Sequence, residues 1–346
     1  MNNSVTLKDI AKALNLSIST ISKALNDSHE IGAETKQKVL DYAKKHHYTP
    51  NRMAKGLKEG KSRSIGVVVC SLDNNVIAQM LDGIHKVSTD KSYQIIIMQS
   101  KESEKIESAC IELLYAGGID GILISPAYET IDFSYLVSLQ KGGLPVVLFD
   151  RLIDQIHTHK VGADNFKGAY EATMHLIHNG YKNIAHLNTN TILSIATDRL
   201  NGYKQALADS GIACRQELLR SCNYTGATTL NENLEEAIRY YMSLKDKPDA
   251  IFTATDQIST RCLVILNKLG YKIPEDIALI GFTNTELAEA MNPPLSTVHQ
   301  PAFEMGQLAA EKLISLIEKK NHDVDFETIM LPTEVRVRAS SQAVKK

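Results

Sequence analysis

Val5-Thr6-Leu7-Lys8-Asp9-Ile10-Ala11-Lys12-Ala13-Leu14-Asn15-Leu16-Ser17-Ile18-Ser19-Thr20-Ile21-Ser22-Lys23-Ala24-Leu25-Asn26 places two short amphipathic segments near the start of the chain, with a break between them. Thr6 suits an N-cap, and Asp9, three residues on, can return the bond to the cap backbone. Leu7, Ile10, Ala11 and Leu14 then fall on one helical face. Asn15 tolerates the left-handed backbone that a tight turn needs, so the first helix ends there. Ser17 caps a second helix running to Leu25, with Ile21, Ala24 and Leu25 inward. A third helix is predicted from about Ala33 to His46, burying Val39, Leu40 and Ala43. It stops at Tyr48-Thr49-Pro50, because the residue before proline avoids helical angles. Two helices joined by a three-residue turn, the second polar on its outer face, make a helix-turn-helix.

The charge distribution agrees with a head that meets phosphate. The 346-residue chain carries a net charge of −2. Residues 1–63 hold twelve Lys/Arg against six Asp/Glu, and the remainder twenty-six against thirty-four. A basic module on an acidic body is the footprint of an electrostatic grip on nucleic acid, although charge alone also admits a chance cluster of surface lysines. Asn51 to Arg63 is a short, basic connector, too polar to form a core.

From Ser64 the pattern changes. Ile65-Gly66-Val67-Val68-Val69 is a short apolar, β-branched run, as expected of a strand buried on both faces. Similar runs recur at Tyr93–Met98, Gly121–Ile124, Pro145–Phe149, Ile184–Leu187, Ala250–Phe252 and Ile277–Ile280. Amphipathic segments lie between them, at Val76–Asp90, Lys105–Ala116, Phe166–Asn179, Asp198–Ser210, Leu230–Lys245 and Gln257–Leu269. This alternation predicts doubly wound parallel sheets. The strands are too many for one comfortable sheet, so two lobes with a cleft are expected, with ligand at the carboxyl ends of the strands.

Other classes are disfavoured. No run of about 18 apolar residues exists to span a bilayer, and Met1–Lys12 lacks a signal-peptide layout, which predicts a cytoplasmic protein. Five cysteines, odd in number and scattered, read as reduced thiols. There is no Walker loop, GxSxG elbow, HExxH or dinucleotide fingerprint, so no enzyme is predicted. His157 and His159 lack the acidic or cysteine partners of a metal site and read as solvated loop residues. Neither metal nor cofactor is expected.

The opening stretch closely resembles the N-terminal signature of LacI/GalR repressors. Tyr48-Thr49-Pro50-Asn51-Arg52-Met53-Ala54-Lys55-Gly56-Leu57 resembles that family's hinge. Further matches are Phe149-Asp150-Arg151, Asp164-Asn165, Asp198-Arg199-Leu200-Asn201-Gly202-Tyr203, Ile273-Pro274-Glu275-Asp276-Ile277 and Pro293-Pro294-Leu295-Ser296-Thr297-Val298. The resemblance covers essentially the whole chain in order. It implies a helix-turn-helix head (1–47), a hinge (48–63) and a core (64–346) shaped like type I periplasmic binding proteins. Its N-lobe would comprise about 64–163 and 292–324, and its C-lobe about 164–291 and 325–346. The implied protein is a homodimeric repressor of a pseudo-palindromic double-stranded DNA operator, switched by a small molecule, a sugar or sugar derivative. A sugar-binding protein with no DNA role is the alternative.

For the head, the resemblance assigns base reading to Ile18, Ser19 and Lys23. Lys23 can donate to guanine, and Ile18 can pack against a thymine methyl or instead close the head core. Thr6, Ser17, Thr20, Ser22 and Asn26 match phosphate-contacting positions. In the hinge, Asn51, Arg52, Met53, Ala54 and Leu57 are implied DNA contacts. Met53, Ala54 and Leu57 share one helical face, and Leu57 matches the family's minor-groove wedge.

For the effector, Arg199 matches the arginine that commonly binds it, with an ion pair to Asp198 as the alternative role. Asp150 and Asp256 match cleft-facing positions, Asp256 equally as an interlobe strut, and Tyr224 a stacking wall. Three positions depart from common members. Thr255 stands where many have Asn, and Thr283-Asn284 where many have an acidic residue first. Asn74-Asn75-Val76-Ile77 replaces an aromatic pair. Thr283 cannot accept two sugar hydroxyls as a carboxylate does. The departures therefore predict a non-standard effector, such as a phosphorylated or acidic sugar or a uronate-derived metabolite. A degenerate cleft without a switch is the third possibility. The absence of an apolar heptad tail speaks against a coiled-coil tetramer.

Overall fold

The computed structural model describes residues 5–48, 62–189, 194–222, 227–319 and 325–343. The chain divides into two compact units, 1–62 and 63–346, each described by itself.

Among its described residues the first unit holds three helices, α1 (Leu7–Leu14), α2 (Ile18–Leu25) and α3 (Ala33–Lys45). Thr6 and Asp9 close a reciprocal capping box, and Asn15 ends α1 in the left-handed region at φ 52°. Ser17 caps α2 through the Thr20 amide. Ile10, Ala11, Ile21, Ala24 and Val39 form the core, with Leu7, Leu14, Leu25 and Tyr48 packed against it. Leu40 does not join them, and is 45% exposed. The buried seam of α3 runs through Val39 and Ala43, one helical turn apart, and residue 40, about 100° round the helix, faces out. Because Tyr48 packs on this core and Arg63 opens the second unit, both ends of the expected 48–63 hinge belong to the flanking units.

The second unit contains two six-stranded sheets. The first holds β1 (Ser64–Val69), β2 (Gln94–Gln99), β3 (Gly121–Ile124), β4 (Val146–Phe149), β5 (Lys160–Ala163) and β11 (Thr328–Leu331), in the order β11-β5-β4-β3-β1-β2 and all parallel. The second holds β6 (Ile184–Thr189), β7 (Leu219–Cys222), β8 (Ala250–Thr253), β9 (Ala278–Phe282), β10 (Ser296–His299) and β12 (Glu334–Arg336), in the order β12-β10-β9-β8-β6-β7. Only β12 runs antiparallel. Helices α4 (Asn75–Asp90), α5 (Glu104–Ala116), α6 (Ser134–Lys141) and α11 (Ala302–Glu318) accompany the first sheet. Helices α7 (Asn165–His178), α8 (Ser194–Asp209), α9 (Ala227–Ser243) and α10 (Asp256–Lys268) accompany the second.

The sheets correct the expected lobe boundaries. Ser296–His299 pairs with β9 in the second sheet, and Thr328–Leu331 with β5 in the first. The later two crossings therefore fall after His299 and after Leu331, not at residues 292 and 325. Short strands such as these are assigned by the strands they pair with, not by a pattern of their own.

β2 also departs from the expected doubly buried strand. It is an edge, and Ile96 and Ile97 are 44% and 40% exposed. β1, by contrast, is apolar because both of its faces are covered: Ile65, Val67 and Val69 point into one cluster with α4 and α11, and Val68 into another with α5 and α6. α4 and α11 approach so closely that a Cβ on Gly83 would lie 2.1 Å from the Phe303 carbonyl oxygen, and one on Gly306 would lie 2.0 Å from that of Met80.

Candidate DNA-reading surface and effector cleft

On the head, Ile18 is 46% exposed. It does not close the core, which Ile21 and Ala24 fill instead, so a large apolar side chain is left at the first turn of α2. Ser19 and Lys23 are exposed, and Thr20 and Ser22 half-buried. The Ser17 hydroxyl bonds those of Ser19 (2.7 Å) and Thr20 (2.8 Å). Asn26 donates Nδ2 to the Ser22 carbonyl, 2.7 Å, closing the end of the helix. Thr6 donates to Asp9, whose carboxyl is held below its ordinary range by these bonds. Lys23 Nζ is paired with Glu30. α2 thus gathers Ser17, Ile18, Ser19, Thr20, Ser22 and Lys23 on one element, while Thr6 sits at the start of another. Asn51, Arg52, Met53, Ala54 and Leu57 lie outside the described residues.

In the core, the candidate groups stand at the carboxyl ends of strands, as the topology requires. Asp150 follows β4, Asp256 follows β8 and Thr283 follows β9. Asp150 has φ 62°, and the Arg151 amide donates to the Phe149 carbonyl across it at 2.7 Å. This tight three-residue turn is strained for a non-glycine residue and turns the carboxylate out from the strand end. Asp150 accepts from Ser125 Oγ, 3.1 Å. Burial pushes its carboxyl up, against the pull of Arg151 and Arg199.

Arg151 serves a structural end. It forms a two-pronged fork with Glu102, at 2.6 and 2.8 Å, and donates to the Pro126 carbonyl. Burial opposes charge on Glu102, but the fork and the Tyr128 amide outweigh it and hold its carboxyl below the usual range.

Arg199 is 4% exposed. Its Nε donates to Asn165 Oδ1 (2.8 Å), Nη1 to the Ala254 carbonyl, and Nη2 to Gln300 Oε1 (3.1 Å). Its guanidinium lies over the Phe282 ring, 3.7 Å from the centroid. Burial pulls it down to about 9, still charged at neutral pH, while Asp150, Asp198 and Asp256 pull it back up. No ion pair joins it to Asp198 or to any other described carboxylate. Of five guanidinium N–H bonds, three are spent on described residues, which leaves two. Asn165 and Gln300 lie on two of the three crossings between the sheets, so one cation ties both.

Asp256 is 7% exposed and saturated from both lobes. Oδ1 accepts from the Thr283 hydroxyl and, at 3.3 Å, from the Asn284 amide; Oδ2 accepts from Asn75 Nδ2 at 3.2 Å. Thr283, 1% exposed, therefore spends its hydroxyl on Asp256. Thr255 replaces asparagine without loss of the helix cap, since its Oγ1 accepts from the Ile258 amide. Tyr224 lies outside the described residues.

Sequence reasoning missed Asn75, Gln79, Asn165, Asn284 and Gln300 as working groups. Asn75 and Asn284 stand in the departures already noticed and Asn165 in the Asp164-Asn165 match, while Gln79 and Gln300 carry no local signal. His159, expected in solvent, is 5% exposed. It accepts from the Glu327 amide and meets Phe326 edge-on.

Comparison with known proteins matches this architecture. Residues 6–51 match the bacterial regulatory proteins of the lacI family, and residues 173–341 a periplasmic binding protein-like domain. The NTD biosynthesis operon regulator NtdR of Bacillus subtilis is 30% identical over 339 residues, 97% of this chain and 99% of that one. The chain belongs to the LacI family. The ribose operon repressor of Haemophilus influenzae is 28% identical over 98% of this chain and 99% of its own. Among solved structures, a lac repressor dimer bound to operator superposes with a TM-score of 0.83 at 22% identity, over 99% of this chain and all of that one. This LacI-family member is a DNA-binding transcriptional regulator with an effector-binding core.

Proposed function

We propose that the chain is a cytoplasmic homodimeric repressor whose hold on a pseudo-palindromic operator is set by a sugar derivative bound between the lobes. Arg199 carries the effector assignment: among the described residues it is a buried cation with no carboxylate partner, two N–H bonds to spare and a grip on two interlobe crossings. A guanidinium so placed suits a carboxylate or phosphate, which it meets through two parallel bonds. Asp150 accepts hydroxyl donors at the other end of the ligand. Thr283, turned onto Asp256, offers no second acidic acceptor. This favours a uronate-like or phosphorylated sugar over a neutral hexose.

In the head, Ile18, Ser19 and Lys23 read base edges, while Thr6, Ser17, Thr20, Ser22 and Asn26 set register on phosphates. The hinge contacts from Asn51 to Leu57 complete the reading in the minor groove. Dimerisation is supported by the edge strand β2 with its exposed Ile96 and Ile97, since an open apolar edge is a pairing surface.

The test has two arms. Operator duplexes are recovered from a random pool with the full chain, and thermal shift with neutral hexoses, uronates and sugar phosphates finds the stabilising class by mass action. The reading expects an acidic sugar to raise the melting temperature and to change operator affinity. Tight calorimetric binding of a plain hexose, with no response to acidic sugars, overturns it.

A further inference from the structure

The cleft end of the core carries an unbroken hydrogen-bonded line that starts at Arg199. Arg199 donates to the Gln300 side chain. The Gln300 backbone bonds Asn284 twice: its amide donates to Asn284 Oδ1 (2.9 Å) and its carbonyl accepts from Asn284 Nδ2 (2.7 Å). Asn284 in turn pairs with Gln79 of the opposite lobe, donating Nδ2 to Gln79 Oε1 at 2.7 Å and accepting from Gln79 Nε2 at its own carbonyl at 3.3 Å. Beside it, Asn75 reaches Asp256. Asn284 and Gln300 are 3% and 4% exposed, so the line is shielded from water, where hydrogen bonds are stronger and breaking one is costly.

The line ends on two helices. Gln79 lies in the first turns of α4, and Gln300 stands two residues ahead of α11. These are the helices whose backbones meet at Gly83 and Gly306, too close to admit a Cβ at either position. α4 is 16 residues long, about 24 Å. At their far ends both helices meet one residue. Arg63 lies over Tyr93, which follows α4, at 5.0 Å from the ring centroid, and pairs with Glu318, the last residue of α11, at 3.3 Å. Its backbone is fixed as well: its amide donates to Asp120 Oδ2 at 2.8 Å, its carbonyl accepts from the Gln94 amide at 2.8 Å, and it holds φ 55°. Arg63 is the residue at which the chain passes from the head unit to the core unit.

We propose that α4 and α11 act as one strut between the effector cleft and the start of the core, with Gln79 as its input and Arg63 as its output positioning residue. This rests on the regulator reading above. An effector engaging the spare donors of Arg199 shifts Gln300 and Asn284, and the strut carries the shift to Arg63. Coupling needs an element that both sites bias, and the interlocked helix pair supplies it.

The test needs no effector. Operator affinity is measured for the full chain, Gln79→Ala, Arg63→Ala and the double variant, on a duplex recovered from a random pool with the wild-type chain. Gln79→Ala leaves Asn284 bonded to Gln300, and thermal melts check that each variant folds. Sites this far apart with no shared partner otherwise act additively, within about 0.3–0.5 kcal/mol, or roughly twofold. The strut expects both single variants to change operator affinity and the double variant to miss the product of their effects by threefold or more. Arg63→Lys, which keeps the charge facing Glu318, should restore part of the coupling. Additive effects overturn the strut, as does a single variant that leaves operator affinity unchanged. Failure to recover any duplex with the wild-type chain overturns the regulator reading itself and the strut with it.

Discussion

Arg199 sits over the ring of Phe282, 3.7 Å from its centroid, and reaches Asn165 and Gln300 on two different crossings. Phe282 is fully buried at the end of β9, so the cation is fixed in plane and direction before any ligand arrives. Arg199→Ala leaves two buried side-chain acceptors and the Ala254 carbonyl without this donor. At about 1–3 kcal/mol for an unsatisfied buried group, the core should lose several kcal/mol in urea unfolding. Arg199→Lys should recover less than half, since an ammonium cannot fill three fixed directions. A wild-type midpoint for the alanine variant would show that Arg199 is not the hub.

Lys23 is held by Glu30 on the free head, and the exposure of both leaves that pair weak. Lys23→Ala should weaken operator binding by about 1–3 kcal/mol and relax preference at one base pair. An equal loss on operator and scrambled DNA, with the salt slope falling by about one, would make Lys23 a phosphate contact instead.

His186 is enclosed by Tyr203 and Phe252, with Nε2 lacking a described partner. Burial pushes its pKa down to about 3. The unfolded chain, near 6.5, then binds the proton that the folded one refuses, so stability falls as pH drops from about 6.5 towards 3. At pH 5 the loss should be about 2 kcal/mol. His159, His175 and His299 are lowered by burial too and act in the same sense. His186→Phe should flatten the urea-unfolding profile between pH 7 and 5. An unchanged slope would place the acid sensitivity elsewhere.

Ile96 and Ile97 leave apolar surface on both faces of the edge strand β2. Ile97→Lys should shift the protein towards monomer in sedimentation at micromolar concentration and abolish tight operator binding, with the circular dichroism of the core retained. A full dimer in that variant would move the pairing surface away from β2.

Local signals made much of this protein legible. Thr6, Asp9 and Ser17 cap helices through bonds to neighbours within three residues, and Asn15 ends one in the left-handed region, all as read. The long apolar runs at β1, β3, β4, β8 and β9 mark strands because both of their faces are covered. β5, β7, β10, β11 and β12 were missed, being three or four residues long, mixed in composition and fixed only by the strands they pair with. Leu40 and His159 misled for the same reason, since an apolar or polar identity says little where a neighbouring element decides which side is wet.

The sequence by itself determined the alternation of strands and helices, the caps of the head and the family to which they belong, since each depends on spacing along a few residues. The tertiary structure alone decided what the unusual residues do. Thr283 and Asn284 read locally as a lost acidic ligand. In the fold they face Asp256, Gln300 and Gln79, from three other segments, and bind the lobes to each other. That role depends on which groups converge in a buried, low-dielectric space, where every polar atom must find a partner.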